Sequence, residues 1–217
     1  MSLWVKICGN TSLADAQLAV DAGADAVGFV FAASPRRVTP AKVAEIAPHL
    51  PSRIEKIGVF VDTALDEILE TVRFAGLSGL QLHAEYGADV PAELRRSLGA
   101  DFRILRVVHF GPNAAEQAAA ALRDAHVDAV LVDSRTATAV GGTGIAFDWQ
   151  QARDTVFGHA GRLVMAGGLT PENVAEAIAT LYPWGVDVVS GVEAAPGRKD
   201  PAKVREFVAN ARAAARL

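Results

Sequence analysis

Three residues able to transfer protons, Cys8, His83 and Asp133, each end a short apolar run. Cys8 and Asp133 facing each other would supply one base and one acid. As a base, Cys8 must be partly thiolate, which needs a lowered pKa from nearby positive charge or backbone donors. Plainer roles are a small buried cysteine, an aspartate that anchors a loop or caps a helix, and a histidine bonded to its neighbours. The sequence thus indicates a candidate acid–base pair, with His83 as a second base or a polar neighbour.

Glycine-containing loops follow three later apolar runs, at Gly141–Gly144, Gly167-Gly168 and Ser190-Gly191, and the first two contain a glycine pair. Glycine lets the backbone approach an anion closely and point its N–H groups inward. A single pair is ordinarily a tight turn, but two such loops in succession favour a phosphate site. We expect 192–195 to form the short helix beside this site.

Arginine is the other candidate ligand for an anion. Arg36 and Arg37 follow an apolar run and Pro35, and an arginine fork can hold a carboxylate through two hydrogen bonds. A solvated pair is the plainer interpretation, and we expect at least one of the two to face water. No His, Cys and Asp residues have metal-ligand spacing, so the sequence predicts no metal.

The runs that must position these residues alternate with helical stretches. Eight strands are predicted: Val5–Cys8, Ala26–Phe31, Lys56–Val61, Gly79–His83, Ile104–Phe110, Ala129–Asp133, Leu163–Gly167 and Asp187–Ser190. Their ends are 22 to 34 residues apart, which is the size of a βα unit. Helix starts are predicted at Thr39-Pro40, Thr170-Pro171 and Asp200-Pro201, and from the pairs Ser12/Asp15 and Thr63/Asp66.

Eight such units predict an α/β protein with a (β/α)₈ (TIM) barrel, one compact domain spanning residues 1–217. Its functional residues would collect at the carboxyl ends of the strands. A doubly wound sheet is the rival fold, but Cys8-Gly9-Asn10-Thr11-Ser12 lacks the Gly-x-Gly-x-x-Gly that a dinucleotide site requires after the first strand.

Composition limits the partners. The 217 residues are 51% hydrophobic and carry a net charge of −4, which excludes a disordered chain and gives no electrostatic footprint for nucleic acid. The one cysteine allows no internal disulfide. The longest apolar run, Ala26–Ala33, is far shorter than the roughly twenty residues of a spanning helix. We therefore predict a cytoplasmic protein, monomer or homodimer, with no membrane partner.

With these residues assembled, the chain resembles the phosphoribosylanthranilate isomerase family of tryptophan biosynthesis. The matching phrases run in order over nearly the whole chain: Val5-Lys6-Ile7-Cys8-Gly9, Gly28-Phe29-Val30-Phe31, Ser34-Pro35-Arg36, Gly58-Val59-Phe60-Val61, Gln81-Leu82-His83, Leu131-Val132-Asp133-Ser134, Gly141-Gly142-Thr143-Gly144, 166–174, and Asp187-Val188-Val189-Ser190-Gly191-Val192-Glu193. The first and last phrases are the most specific.

The resemblance implies that a small phosphosugar, N-(5′-phosphoribosyl)anthranilate, is rearranged to 1-(2-carboxyphenylamino)-1-deoxyribulose 5-phosphate without a cofactor. It implies that Cys8 is the general base and Asp133 the general acid. The other implied roles are Arg36 for the anthranilate carboxylate, Asp187 near the ribose hydroxyls, His83 at the mouth, and Gly168, Ser190 and Gly191 for the phosphate. Ala84 stands where the family more often has glycine, which puts the role of His83 in doubt.

Two alternatives stay open at this point. A histidine-pathway or bifunctional aminoaldose isomerase would use the same barrel, but that family has an aspartate where Cys8 stands. A barrel retained as a non-catalytic binding or assembly subunit would be expected to lose the pair Cys8 and Asp133, and both residues are present.

Overall fold

The structure, a computed structural model, describes residues 3–83, 86–87, 89–134, 149–158 and 161–216. Eight parallel strands close into a barrel in chain order. They are β1 Trp4–Ile7, β2 Ala26–Val30, β3 Glu55–Phe60, β4 Gly79–Leu82, β5 Arg103–His109, β6 Ala129–Asp133, β7 Leu163–Ala166 and β8 Gly185–Val188. The predicted α/β barrel is confirmed.

Helices surround the barrel: α1 Leu13–Asp21, α2 Pro40–Ile46, α3 Leu65–Ala75, α4 Val90–Leu98, α5 Ala114–Arg123, α6 Trp149–Ala152, α7 Val174–Leu181 and α8 Pro201–Ala214. A 3₁₀ turn at Ala47–His49 extends α2, and a π-helical turn at Arg153–Phe157 extends α6. Among the described residues, none of these helices has the length and apolar character needed to cross a bilayer.

The barrel closes where β1 pairs with β8, with Lys6 opposite Asp187. Alternate strand residues point to opposite faces, so every second residue enters the barrel. An apolar cluster fills much of the interior: Trp4, Ala26, Ile57, Leu105, Ala129, Leu131, Val164 and Ala166. Toward the carboxyl ends the same faces carry Lys6, Gln81, Asp133 and Asp187, all buried. The barrel interior therefore becomes polar toward the carboxyl ends.

All eight predicted strands exist, but most end one residue earlier than predicted, and β8 begins two residues before Asp187. Of the predicted helix starts, three are confirmed by side-chain caps: Ser12 accepts from the Asp15 N–H, Thr39 from Lys42, and Asp200 from Ala202 and Lys203.

Two helix starts are predicted wrongly. The helix expected after Thr170-Pro171 begins later, at Val174, because the Asn173 side chain accepts from the Thr170 N–H and holds a separate turn before it. Thr63 does not cap α3; its hydroxyl donates to the Val61 carbonyl, and Ala64 precedes the helix.

The segment after β8 also differs from the prediction. The short helix lies at Ser190–Val192, and the next residues form an antiparallel hairpin of β9 Glu193–Ala195 and β10 Arg198–Lys199. The hairpin is fastened to the first βα connection, because Thr11 Oγ1 donates to the Gly197 carbonyl at 2.6 Å and the Lys199 N–H donates to Asp15 Oδ1 at 3.2 Å. It therefore spans the seam between the first and last strands.

Candidate active site

A cavity of about 220 Å³ opens at the carboxyl ends of the strands. It is lined by seven of the predicted site residues: Cys8, Arg36, His83, Asp133, Gly168, Asp187 and Ser190. Gly191 does not line it; a side chain there would overlap the Leu169 carbonyl, so this glycine lets the β7 and β8 loops approach each other. Gly141–Gly144 and Ala84 lie outside the described residues.

Two larger hollows lie elsewhere. One of about 1040 Å³ lies between α7 and α8 at the amino ends of the strands, and one of about 660 Å³ lies beside α5. Neither contains both members of the acid–base pair, so the smaller cavity is the candidate active site.

A row of hydrogen bonds crosses the floor of this cavity. The Lys6 ammonium, with no exposed surface, donates to Asp187 Oδ1 and to Gln81 Oε1, each at 2.9 Å. Because Lys6 has only donors, the Gln81 oxygen faces it, and the Gln81 amide nitrogen donates to His83 Nε2 at 2.7 Å. Neutral His83 therefore carries its ring proton on Nδ1. The bond from Gln81 fixes the His83 ring from the barrel interior. This agrees with the interpretation of His83 as a histidine that is bonded to its neighbours.

The Cys8 thiol is 3% exposed at the end of β1. Burial raises its pKa above the ordinary value; the positive charges of Lys6 and Lys199 oppose this rise, and Asp187 adds to it. A thiolate in the free protein would require a lowered pKa. Burial outweighs the two cations, so the pKa of Cys8 is raised instead. In the free protein the thiol form is favoured at neutral pH.

Asp133 ends β6 and is 5% exposed. Gly167 lies against it, since a Cβ atom at Gly167 would collide with Asp133 Oδ1 and with Ser134 Oγ. Gly167 and Gly168 both have positive φ, +84° and +66°, a conformation that side chains disfavour. These two glycines therefore give the carboxyl its space and turn the chain across the mouth.

Arg36 is already paired within the protein. Its Nε and Nη2 donate to Glu193 Oε1 and Oε2 at 2.8 and 2.6 Å, and Glu193 also receives Lys199 Nζ at 3.4 Å. Lys199 further donates to the Cys8 carbonyl at 2.6 Å and to the Val189 carbonyl at 3.1 Å. The Glu193 bonds and charge raise the pKa of Arg36 against its burial. Arg36 also lines the cavity, while Arg37 is exposed, as expected for one of the two.

The sequence reasoning missed Lys6, Gln81, Glu193 and Lys199. Two of them had a signal: Lys6 and Gln81 stand in apolar strands two residues before Cys8 and His83, so they point into the same interior. Glu193 and Lys199 had none, since their meeting depends on the unpredicted hairpin.

The fold and the site together define a protein of the (β/α)₈ barrel class, with its candidate acid, base and anion-binding residues around one cavity at the mouth. The family model of N-(5′-phosphoribosyl)anthranilate (PRA) isomerase matches residues 5–210. The N-(5′-phosphoribosyl)anthranilate isomerase of Geobacter sp. strain M21 is 46% identical over 96% of this chain and 97% of its own length. The chain therefore belongs to the phosphoribosylanthranilate isomerase family, and it is an isomerase.

Solved structures agree. A phosphoribosyl anthranilate isomerase in complex with reduced 1-(o-carboxyphenylamino)-1-deoxyribulose 5-phosphate is 34% identical, with a TM-score of 0.80 over 97% of this chain and 99% of that one. Monomers of the dimeric enzyme of Thermotoga maritima give the same identity, TM-score and coverage.

Proposed function

We propose that this chain isomerises N-(5′-phosphoribosyl)anthranilate to 1-(2-carboxyphenylamino)-1-deoxyribulose 5-phosphate in tryptophan biosynthesis, with Asp133 as general acid and Cys8 as general base. The observation that carries the proposal is that Cys8 and Asp133 line one cavity together with Arg36, Gly168 and Ser190. An acid, a base and two groups of anion-binding donors are what this substrate requires.

The reaction begins at the ring oxygen of the ribose. Asp133 donates a proton to this oxygen, the bond to C1′ breaks, and the ring opens to a protonated Schiff base. Cys8 as thiolate then removes the proton from C2′. The electron pair of the broken C–H bond forms the C1′–C2′ double bond of the enolamine, and the Schiff base nitrogen becomes neutral. The enolamine takes a proton at C1′ and loses one from the 2′-hydroxyl, which leaves a ketone at C2′. Protons balance and no external oxidant is needed.

The ends of the substrate would be held by separate groups. The anthranilate carboxylate would take the Arg36 N–H groups that Glu193 leaves unused. The phosphate would lie against the backbone N–H groups of Gly168 and Ser190, which line the cavity, with Gly191 beside them where the two loops approach each other. Asp187 lines the cavity and would accept from a ribose hydroxyl, with His83 beside it.

The test is the decay of substrate fluorescence on adding purified protein, with substrate made in situ because it is labile. We expect fast decay with the native chain and a loss of roughly 10²–10⁴-fold in kcat for Asp133→Asn and for Cys8→Ala, the range of general acid–base catalysis. Thermal melting would show that both variants fold. A native protein that folds and leaves the fluorescence unchanged would overturn the proposal, and so would a Cys8→Ala variant with normal kcat.

Other properties stay predictions. We propose that residues 1–217 act as one catalytic domain without a metal or other cofactor, as monomer or homodimer and in the cytoplasm. Activity after exhaustive dialysis against a chelator tests the first part, and light scattering during gel filtration gives the oligomeric state.

A further inference from the structure

Lys6 is the least expected charge in the barrel. It has no exposed surface and lies beneath the cavity rather than in its lining. Burying an unpaired ammonium is costly, yet Lys6 has Asp187 and Gln81 as partners. These two partners fix the position of its Nζ atom. None of the roles in the proposed reaction uses Lys6.

Gly28 shows how near Lys6 lies to the Cys8 sulfur. A Cβ atom at Gly28 would be 2.5 Å from Cys8 Sγ and 3.0 Å from Lys6 Cε. The sulfur and the end of the lysine chain thus flank the same point inside the barrel. Because Gly28 has no side chain, the barrel has room for both at this point.

Several charged or titratable groups face Cys8 from the elements around it. From β1 comes Lys6, from β8 Asp187, from β10 Lys199 and from the β2 loop Arg36, while Asp133 and His83 share its cavity. Lys199 contacts the backbone carbonyl of Cys8, and Arg36 is neutralised by Glu193. Lys6 is therefore the cation best placed to act on the sulfur.

We propose that Lys6 is a positioning residue for Cys8: its ammonium, fixed by Asp187 and Gln81, stabilises the sulfur as the thiolate that removes the C2′ proton. The proposal rests on the proposed function in one respect, which is that the thiolate serves as the base of the isomerisation. Burial disfavours the Lys6 charge, but Asp187 and Cys8 outweigh burial and raise the pKa of Lys6, so the lysine stays charged. Burial raises the pKa of Cys8, and Lys6 is the largest effect that opposes it.

The simplest variant, Lys6→Met, leaves Asp187 buried without its partner and threatens the fold. The sharper comparison is Asp187→Asn against the double variant Lys6→Met/Asp187→Asn, since both have a neutral residue 187. Cys8 is the one cysteine of the chain, so alkylation by iodoacetamide at a series of pH values measures its thiolate directly. Cys8→Ala is the blank.

We expect the double variant to titrate at least one pH unit higher than Asp187→Asn, so that at neutral pH its Cys8 is alkylated at least tenfold more slowly. Matching titration curves in two variants with intact thermal transitions would overturn the role of Lys6.

Isomerase assays give the second readout. An electrostatic role predicts that the deficit in kcat/KM of the double variant, relative to Asp187→Asn, shrinks as the pH rises. A deficit equal at every pH would mean a purely structural role and would contradict the proposal. The two proposals can fail separately. If the thiol titrations of the two variants differ but the native protein has no isomerase activity, the Lys6–Cys8 coupling stands and the proposed function is refuted.

Discussion

Gly28→Ala tests whether the exact place of the Cys8 sulfur matters to the reaction. Gly28 lies in β2, and its φ is not in the left-handed region, so alanine is compatible with its backbone. The new methyl group would lie 2.5 Å from Cys8 Sγ and 3.0 Å from both Cys8 Cβ and Lys6 Cε. One added carbon is thus inserted between the candidate base and the lysine below it.

The size of the effect follows from these distances. Non-bonded heavy atoms pack at about 3.5–4.0 Å, so the sulfur must move by about 1 Å or the strands must separate. Overpacking of this kind costs about 1–3 kcal/mol of folding free energy. A displacement of about 1 Å in a reacting group lowers kcat by about 10²-fold.

A second glycine gives the matched control. At Gly58 in β3, an added methyl group would lie 2.7 Å from Leu77 Cδ1 and 2.8 Å from Phe60 Cε2, and this glycine does not line the cavity. We expect Gly58→Ala and Gly28→Ala to lose similar stability in urea titrations, but only Gly28→Ala to lose about 10²-fold in kcat. A Gly28→Ala enzyme with kcat within about twofold of the native value would refute the reasoning.

Three further predictions concern charge. Because burial raises the pKa of the Cys8 thiol, its rate of alkylation by iodoacetamide in the native protein should climb up to and beyond the ordinary thiol pKa of about 8.5; a plateau reached below neutral pH would contradict a buried thiol. Arg36→Ala should raise KM by tenfold or more, through loss of about 1.5–3 kcal/mol of charge-assisted bonding, whereas exposed Arg37→Ala should leave steady-state kinetics unchanged. Burial disfavours the Glu193 carboxylate, but Arg36 and Lys199 outweigh burial and hold the pKa of Glu193 below its usual range. Its stabilising effect is therefore present above the unfolded carboxyl pKa and lost as pH falls through the folded value. Glu193→Gln should melt below the native protein at pH 7 and approach it near pH 3, and an equal gap at both pH values would contradict this account.

The barrel was predictable because its signals are local. Each parallel strand is buried on both faces and appears as a continuous apolar run, and the intervals match the length of a helix and two turns. The errors come from competition between nearby polar groups. Asn173 holds a turn in front of α7, and Thr63 turns back to the Val61 carbonyl rather than forward to a helix.

The residues that line the site could be predicted from the sequence, whereas the residues that hold them in place could not. Strand ends in a barrel share one mouth, so Cys8 and Asp133 could be placed together from chain order and the resemblance. The pKa of the Cys8 thiol could not be predicted, because a sequence does not show how deeply a strand end is buried. The Arg36–Glu193–Lys199 network depends on a hairpin of two very short strands, whose period-2 signal is too brief to recognise.

The pairing of β1 with β8 also sets when the site can exist during synthesis of the chain. Lys6 and Asp187 are 181 residues apart, and Lys199 reaches the Cys8 carbonyl across 191 residues. Arg212 in α8 adds bonds to the Leu3 and Gly23 carbonyls and to Asp25. On the ribosome, Cys8 therefore emerges long before Asp187, Lys199 and Arg212, the residues that complete its surroundings and fasten the first strand. The candidate base acquires these charged neighbours only when β8 pairs with β1.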